Sequence, residues 1–210
     1  MATAALIVFG YVLGSTPWGY WLPRLLTGAD MRRLGSGNLG AANVWRSLGF
    51  KLALAVALLD IAKGFFVALL AARLQGELTG VLAGVAAMVG HWRPLFLRFA
   101  RGGKTVATTG GVGLAVALLP SLAAGAVWTA VFLATRYTSV ASMAGAISLP
   151  LLAVLFGEPW PVVAFTSGAA VAILLLHRGN IVRLLSGTEN RFELRRRGAG
   201  RQRPSDLRAG

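Results

Sequence analysis

The chain reads as an all-α integral membrane protein of about seven transmembrane helices. Three observations carry this. The composition is 56% hydrophobic and 13% charged over 210 residues, with a mean hydropathy of +0.67, too apolar for an ordinary soluble domain. Windows close to the 20-residue length of a membrane span recur along the chain. The 21 basic residues, set against 7 acidic ones, cluster between those windows instead of spreading over a surface, which is how membrane orientation is encoded. A net charge of +14 is therefore assigned to topology and not to nucleic acid. With no cysteine, disulfides and thiolate chemistry are excluded.

In chain order, the first window is 2–22, read as a span and not as a cleaved signal because no basic flank precedes it. Windows 52–72, 78–97, 140–156 and 160–177 follow. Between them lies 106–135, thirty uncharged residues with Pro120 inside. As one straight helix it would run to about 45 Å, too long for one crossing. Basic residues flank both ends: Arg93, Arg98, Arg101 and Lys104 before, Arg136 after. Both ends then belong on one side, so the number of crossings is even. Two short helices broken at "LPSLAAG" or a re-entrant hairpin satisfy this. The layout is seven crossings, or five and a hairpin, with the N-terminus outside and the C-terminus cytoplasmic. It puts 19 of 21 basic residues inside, leaving Arg73 outside and Lys63 within a span. Residues 1–190 form one membrane domain. Residues 191–210 have the composition of a disordered polybasic cytoplasmic tail attracted to anionic lipid.

Three cytoplasmic connections share a character: "GSGNLGAANVWR", "GHWRPLFLRFARGGKT" and "HRGNIVRLLSGTEN". Glycine allows close backbone approach, helix starts present N–H groups, and Arg or Lys adds charge, which together suit an anion, above all phosphate. "GGKT" is not a nucleotide-binding P-loop, because Arg98 stands where the first glycine belongs and no strand precedes it. Asp60 and Lys63, three apart on one helix, read as a mutual ion pair, since each charge alone would cost about 2.5–3.5 kcal/mol in the bilayer. His91 reads as structural. His177 and Asn180 lie one helical turn apart on one face.

These segments, with "LDIAKG" and "RYTSVAS", resemble in order and spacing those of the bacterial acyl-phosphate:glycerol-3-phosphate acyltransferases, the PlsY family. The resemblance covers residues 5–190. It implies a seven-helix enzyme of the bacterial inner membrane, with its site at the cytoplasmic face, that moves a fatty acyl group from acyl phosphate to the 1-hydroxyl of glycerol 3-phosphate. Lysophosphatidate and phosphate are the products, and no metal or other cofactor is implied. By the same resemblance Ser36, Gly37, Asn38, Asn43 and Arg46 belong to the first site loop. Arg46 and Lys104 grip phosphate, Gly102 and Gly103 let the second loop close on it, and Ser142, His177 and Asn180 orient the glycerol substrate. Ser36, Arg46, Lys104, His177 and Asn180 form the catalytic set. Glu189 matches a position whose role is either structural or catalytic.

The pattern departs from the family at Ala42 (usually Thr), Thr105 (usually Gly) and Gly179 (commonly acidic), which leaves a divergent non-catalytic relative as the alternative. A His with an Asp five residues on, the signature of other acyltransferases, is missing, because Phe96 and Val182 stand at those positions. A transporter of phosphorylated metabolites would place its site at mid-membrane between inverted repeats, whereas these motifs all fall on cytoplasmic connections.

Overall fold

The computed structural model describes residues 1–192, and every element among them is helical. In order they are α1 (Ala2–Gly14), α2 (Trp18–Thr27), α3 (Ala41–Leu48), α4 (Phe50–Gln75), α5 (Glu77–Trp92), a 3-10 turn (Leu95–Leu97), α6 (Val106–Val116), α7 (Leu118–Thr135), α8 (Thr138–Leu155), α9 (Trp160–Leu176) and α10 (Arg178–Leu185). Four runs are long and apolar enough to cross a membrane: Phe50–Gln75, Glu77–Leu97, Leu118–Thr135 and Thr138–Leu155. A fifth is the pair α9–α10, bent by 54°. The protein is a membrane protein with transmembrane helices.

α4 is the centre of the fold. At 26 residues it reaches about 39 Å, and α1, α2, α3, α5 and α6 all pack on it. Hydrocarbon gives helices no hydrophobic reason to associate, so close backbone approach must supply the packing. At the α4–α6 contact a Cβ on Gly64 would stand 2.3 Å from the Thr108 carbonyl oxygen, and one on Gly111 would stand 2.0 Å from that of Ile61. Glycine at both positions is what lets the two backbones touch.

The structure departs from the sequence reading in three places. The window 2–22 is not one helix: it breaks at Ser15–Pro17 into α1 and α2. Pro17 supplies no backbone donor, and the hydroxyls of Ser15 and Thr16 donate to the carbonyls of Tyr11 at 2.8 Å and Leu13 at 2.7 Å. The stretch 106–135 breaks at Ala117 (φ −151°, ψ 65°), earlier than "LPSLAAG". Pro120 falls in the first turn of α7, where its missing N–H leaves no intrahelical bond unmade, so the proline begins the helix instead of breaking it. Third, Arg191 and Phe192, read as the start of the tail, dock on the fold. The Phe192 N–H donates to the Arg136 carbonyl at 2.8 Å, and Arg191 Nε donates to that of Thr135 at 3.2 Å. The rest of the expected tail, 193–210, lies outside the described residues.

α6 has 11 residues, about 16 Å against a hydrocarbon core of about 30 Å. We propose that α6 and α7 nonetheless bring Lys104 and Arg136 to the same side. In this cysteine-free chain, Leu119→Cys is expected to react with an impermeant thiol reagent only from outside, and Arg98→Cys only from the cytoplasm. Labelling of position 119 from the cytoplasm would identify a re-entrant hairpin.

Candidate active site

A cavity of about 720 Å³ opens between α3, α4, α6, α7, α8, α9 and α10. Ser36, Asn38, Asn43, Arg46, Lys104, Ser142, His177 and Asn180 all line it, so four stretches separated by up to 144 positions in sequence converge on one volume. α8 shows how the cavity changes along its length. Thr138, Ser139 and Ser142 line one end, and Gly145, Ala146 and Leu149 continue the same face, about 16 Å further on. Ala57, Ile61, Val106, Ala124 and Trp128 complete the apolar part.

The polar end is organised around Glu189, which is buried. Its Oε1 accepts from Ser139 Oγ at 2.8 Å and Asn180 Nδ2 at 2.6 Å, and its Oε2 accepts from Arg183 Nε at 2.7 Å. Burial pushes the carboxyl up, but the bonds from Asn180, Ser139 and Arg183 together hold it below the ordinary glutamate range. Both carboxylate oxygens are engaged, so Glu189 organises the site and offers no free base. Asn180 is a relay: its Nδ2 goes to Glu189 and its Oδ1 accepts from Lys104 Nζ.

Lys104 is pulled down to about 8, chiefly by burial; Glu189 opposes the fall, and the nearby charges of Arg183, Arg101 and Arg46 add to it. Arg46, on α3, donates from Nη2 to Thr138 Oγ1 at 3.0 Å, while its buried Nε has no partner among the described residues. Burial lowers its pKa too, partly offset by Glu189. A guanidinium N–H on the wall of a cavity is a strong donor for anionic oxygens.

His177 sits at the bend between α9 and α10. Its Nδ1 lies 2.8 Å from the Ile173 carbonyl oxygen, a pure acceptor, so the proton is on Nδ1 and Nε2 is left as an acceptor. Ser142 Oγ accepts from Trp128 Nε1 at 3.2 Å, which leaves its O–H free to donate.

Three of the expected binding residues have their amides bonded within the protein. Asn43 is buried, with its amide engaged in the loop: Oδ1 accepts from the Ser36 N–H at 3.0 Å, and Nδ2 donates to the carbonyls of Leu34 and Asn38, both at 2.9 Å. It shapes the first loop from within. Gly102 and Gly103 donate their N–H groups to the carbonyls of Trp92 at 2.9 Å and His91 at 3.1 Å, so neither amide faces a ligand. Their lack of side chains lets the loop lie against the end of α5. Gly37 takes the left-handed conformation at φ +68° in the turn closed by its N–H to Leu34, at 3.0 Å. Asn38 closes the next turn through Oδ1 to the Gly40 N–H at 2.8 Å and reaches toward Gly102.

Ser139, Thr138 and Arg183 belong to the site although the sequence reading did not select them. Ser139 stands three residues before Ser142, one turn away on the same face, which is the signal that could have found it. His91, read as structural, also reaches the cavity wall.

Thr105 is buried in the left-handed conformation at φ +64°, as the first residue before α6, and its Oγ1 has no partner among the described residues. A β-branched residue there is strained by roughly 1–2 kcal/mol. Thr105→Gly is expected to raise stability in detergent by about 1 kcal/mol, after allowing for the entropy of glycine. Chemical unfolding of the purified variant checks it.

The comparisons with known proteins follow the same lines. The family model described as "Glycerol-3-phosphate acyltransferase" matches residues 4–187. A glycerol-3-phosphate acyltransferase of Rubrobacter xylanophilus is 46% identical over 204 residues, covering 95% of this chain and all of its own. One from Desulforudis audaxviator is 43% identical over 197 residues, covering 93% and 99%. The crystal structure of PlsY (YgiH), an integral membrane glycerol 3-phosphate acyltransferase, in its glycerol 3-phosphate form superposes with a TM-score of 0.88 at 40% identity, covering 92% of this chain and 96% of that one. Its lysophosphatidic acid form gives 0.85 at 38%. The family match takes in the first two loops that wall the cavity and the third as far as residue 187, and this chain belongs to the glycerol-3-phosphate acyltransferase family.

Proposed function

We propose that this protein transfers a fatty acyl group from acyl phosphate to the 1-hydroxyl of glycerol 3-phosphate, in the bacterial inner membrane and from its cytoplasmic side, with the chain crossing the membrane seven times, its N-terminus outside and its C-terminus in the cytoplasm. The observation that supports this most is the two-character cavity: a polar end where Arg46, Arg101, Lys104 and Arg183 gather around Glu189, continuous with an apolar arm between helices. Two phosphates fit the first and one acyl chain the second.

In this reading Arg46 and Lys104 bind phosphate, Ser142 donates to the glycerol backbone, and His177 Nε2 accepts from a glycerol hydroxyl, with Ser36 and Asn38 at the mouth. The 1-oxygen of glycerol attacks the acyl carbon. The bond from that carbon to the phosphate oxygen breaks with its electron pair, phosphate leaves, and the hydroxyl proton goes to a phosphate oxygen. Acyl phosphate is already activated, so the protein supplies position and charge neutralisation.

The test is purified protein offered glycerol 3-phosphate with palmitoyl phosphate, palmitoyl-CoA or palmitoyl carrier protein, measuring released phosphate and lysophosphatidate. Turnover is expected with palmitoyl phosphate alone; equal turnover with palmitoyl-CoA would overturn the donor assignment. No turnover with any donor would leave a non-catalytic relative.

Lys104 gives a second prediction. It carries charge below about 8 and loses it as pH rises through that value, while a phosphate monoester is already doubly ionised above about 6. The kcat/KM for glycerol 3-phosphate, which reports the free enzyme, is therefore expected to fall above pH 8. Lys104→Arg should carry the limb beyond the lysine range. Lys104→Ala should lower kcat/KM roughly tenfold or more, the loss of a charge-assisted bond of about 1.5–3 kcal/mol. A flat profile with normal turnover in Lys104→Ala would remove Lys104 from the site.

A further inference from the structure

Below the polar end, at the level of the α1–α2 break, lies a buried group of ionisable side chains that the reaction as described does not use. Asp60 and Lys63 of α4 and His91 of α5 are all buried. Lys63 Nζ donates to the Thr16 carbonyl at 2.9 Å, a carbonyl at the break between α1 and α2. It stands 2.9 Å from His91 Nδ1 and 2.8 Å from Asp60 Oδ1. The contact with Asp60 is one of charge, not an aligned hydrogen bond, since that oxygen has no hydrogen-bond partner among the described residues.

The two distances to His91 Nδ1 point to one tautomer. The ammonium is donor-only and lies closer, at 2.9 Å, than Asp60 Oδ1 at 3.3 Å. Nδ1 is therefore the acceptor, and the ring proton is on Nε2. That edge of the ring faces the glycine loop: a Cβ on Gly103 would fall 1.9 Å from His91 Nε2 and within 2.9 Å of two ring carbons. The ring fills the space that the side chain of Gly103 would need. The next residue is Lys104. His91 also holds the loop by its backbone, accepting from the Gly103 N–H at 3.1 Å.

We propose that Lys63, Asp60 and His91 form an intramembrane brace that positions the Gly102–Gly103–Lys104 loop, with His91 acting as a positioning residue that sets the height of Lys104 through Gly103. The brace ties the phosphate-facing cation to three elements at once: the α1–α2 break, α4 and the end of α5. Its charges lie where isolated ones would be costly, and their mutual pairing offsets that cost. The inference rests on the function proposed above.

The test uses the full chain in detergent. His91→Phe keeps a ring against Gly103 and removes the acceptor for Lys63. It is expected to raise the KM for glycerol 3-phosphate roughly tenfold to a hundredfold, to change kcat less, and to move the alkaline limb upward from about 8 as the loosened Lys104 rehydrates among Glu189, Arg183, Arg101 and Arg46. Gly103→Ala is expected to be damaging alone but to add no further loss in a His91→Ala background, where the ring is gone. A folded His91→Phe protein with unchanged KM and limb, or fully additive losses in the double variant, overturns the proposal.

Should the His91 variants not fold, the unsubstituted protein decides, because it has only two histidines. Its 15N-imidazole spectrum is expected to show the proton of His91 on Nε2 and to shift when inorganic phosphate saturates the site. A proton on Nδ1, or a His91 signal that stays fixed while phosphate binds, overturns the brace. Absence of acyltransferase activity in the unsubstituted protein would instead fail the functional reading and leave this titration to decide the brace by itself.

Discussion

Like charges in a poorly hydrated pocket repel strongly, and the polar end of this fold is arranged around that constraint. Arg46, Arg101, Lys104 and Arg183 line one cavity, and Glu189 is the carboxylate that bonds within this group. That carboxylate takes up Arg183 directly and Lys104 at one remove, through Asn180. Arg46 donates to the neutral hydroxyl of Thr138, and its Nε has no acceptor among the described residues. The bonds to Glu189 hold Arg183 and Lys104 close together in spite of their like charge.

The second constraint is set by the bilayer, where unpaired backbone groups are tolerated only inside protein. The helices break at Ser15–Pro17, Ala117 and His177, and carbonyls at the first and last of these also accept from side chains. The Thr16 carbonyl receives Lys63. The Ile173 carbonyl receives the ring of His177. These two breaks therefore do two things: each ends a helix and orients a buried side chain.

Much of this was legible in the sequence, because apolar length and basic flanks are properties of windows and survive without knowledge of contacts. The gathering of Arg46, Lys104, His177 and Asn180 could be anticipated from the shared character of their loops. What each loop does internally could not. Asn43 looks like a ligand donor until its three backbone partners are seen, and "GG" before Lys104 looks like a phosphate cradle until its amides are found on Trp92 and His91. A sequence shows which groups can donate and not which acceptors already hold them. Pro120 misled for a related reason: proline ends a helix or starts one, and the distinction depends on where the preceding turn stops. His91 had no visible company because Asp60 and Lys63 are about thirty positions away and only the packing of α4 on α5 brings them together.

The docking of Phe192 carries a consequence for how the molecule is made. Its ring packs 4.6 Å from that of Trp45 and against Phe132, with the Arg46 guanidinium over its face at 4.6 Å. Arg46 thus belongs to an early loop but takes its final surroundings from a residue synthesised some 146 positions later. Glu189, which organises the cations, is almost as late. A chain that ends before position 189 has no carboxylate to pair with Arg183 and, through Asn180, with Lys104, and one that ends before 192 has no ring under the Arg46 guanidinium. The surroundings of the earliest loop are thus completed by the last described residues of the chain.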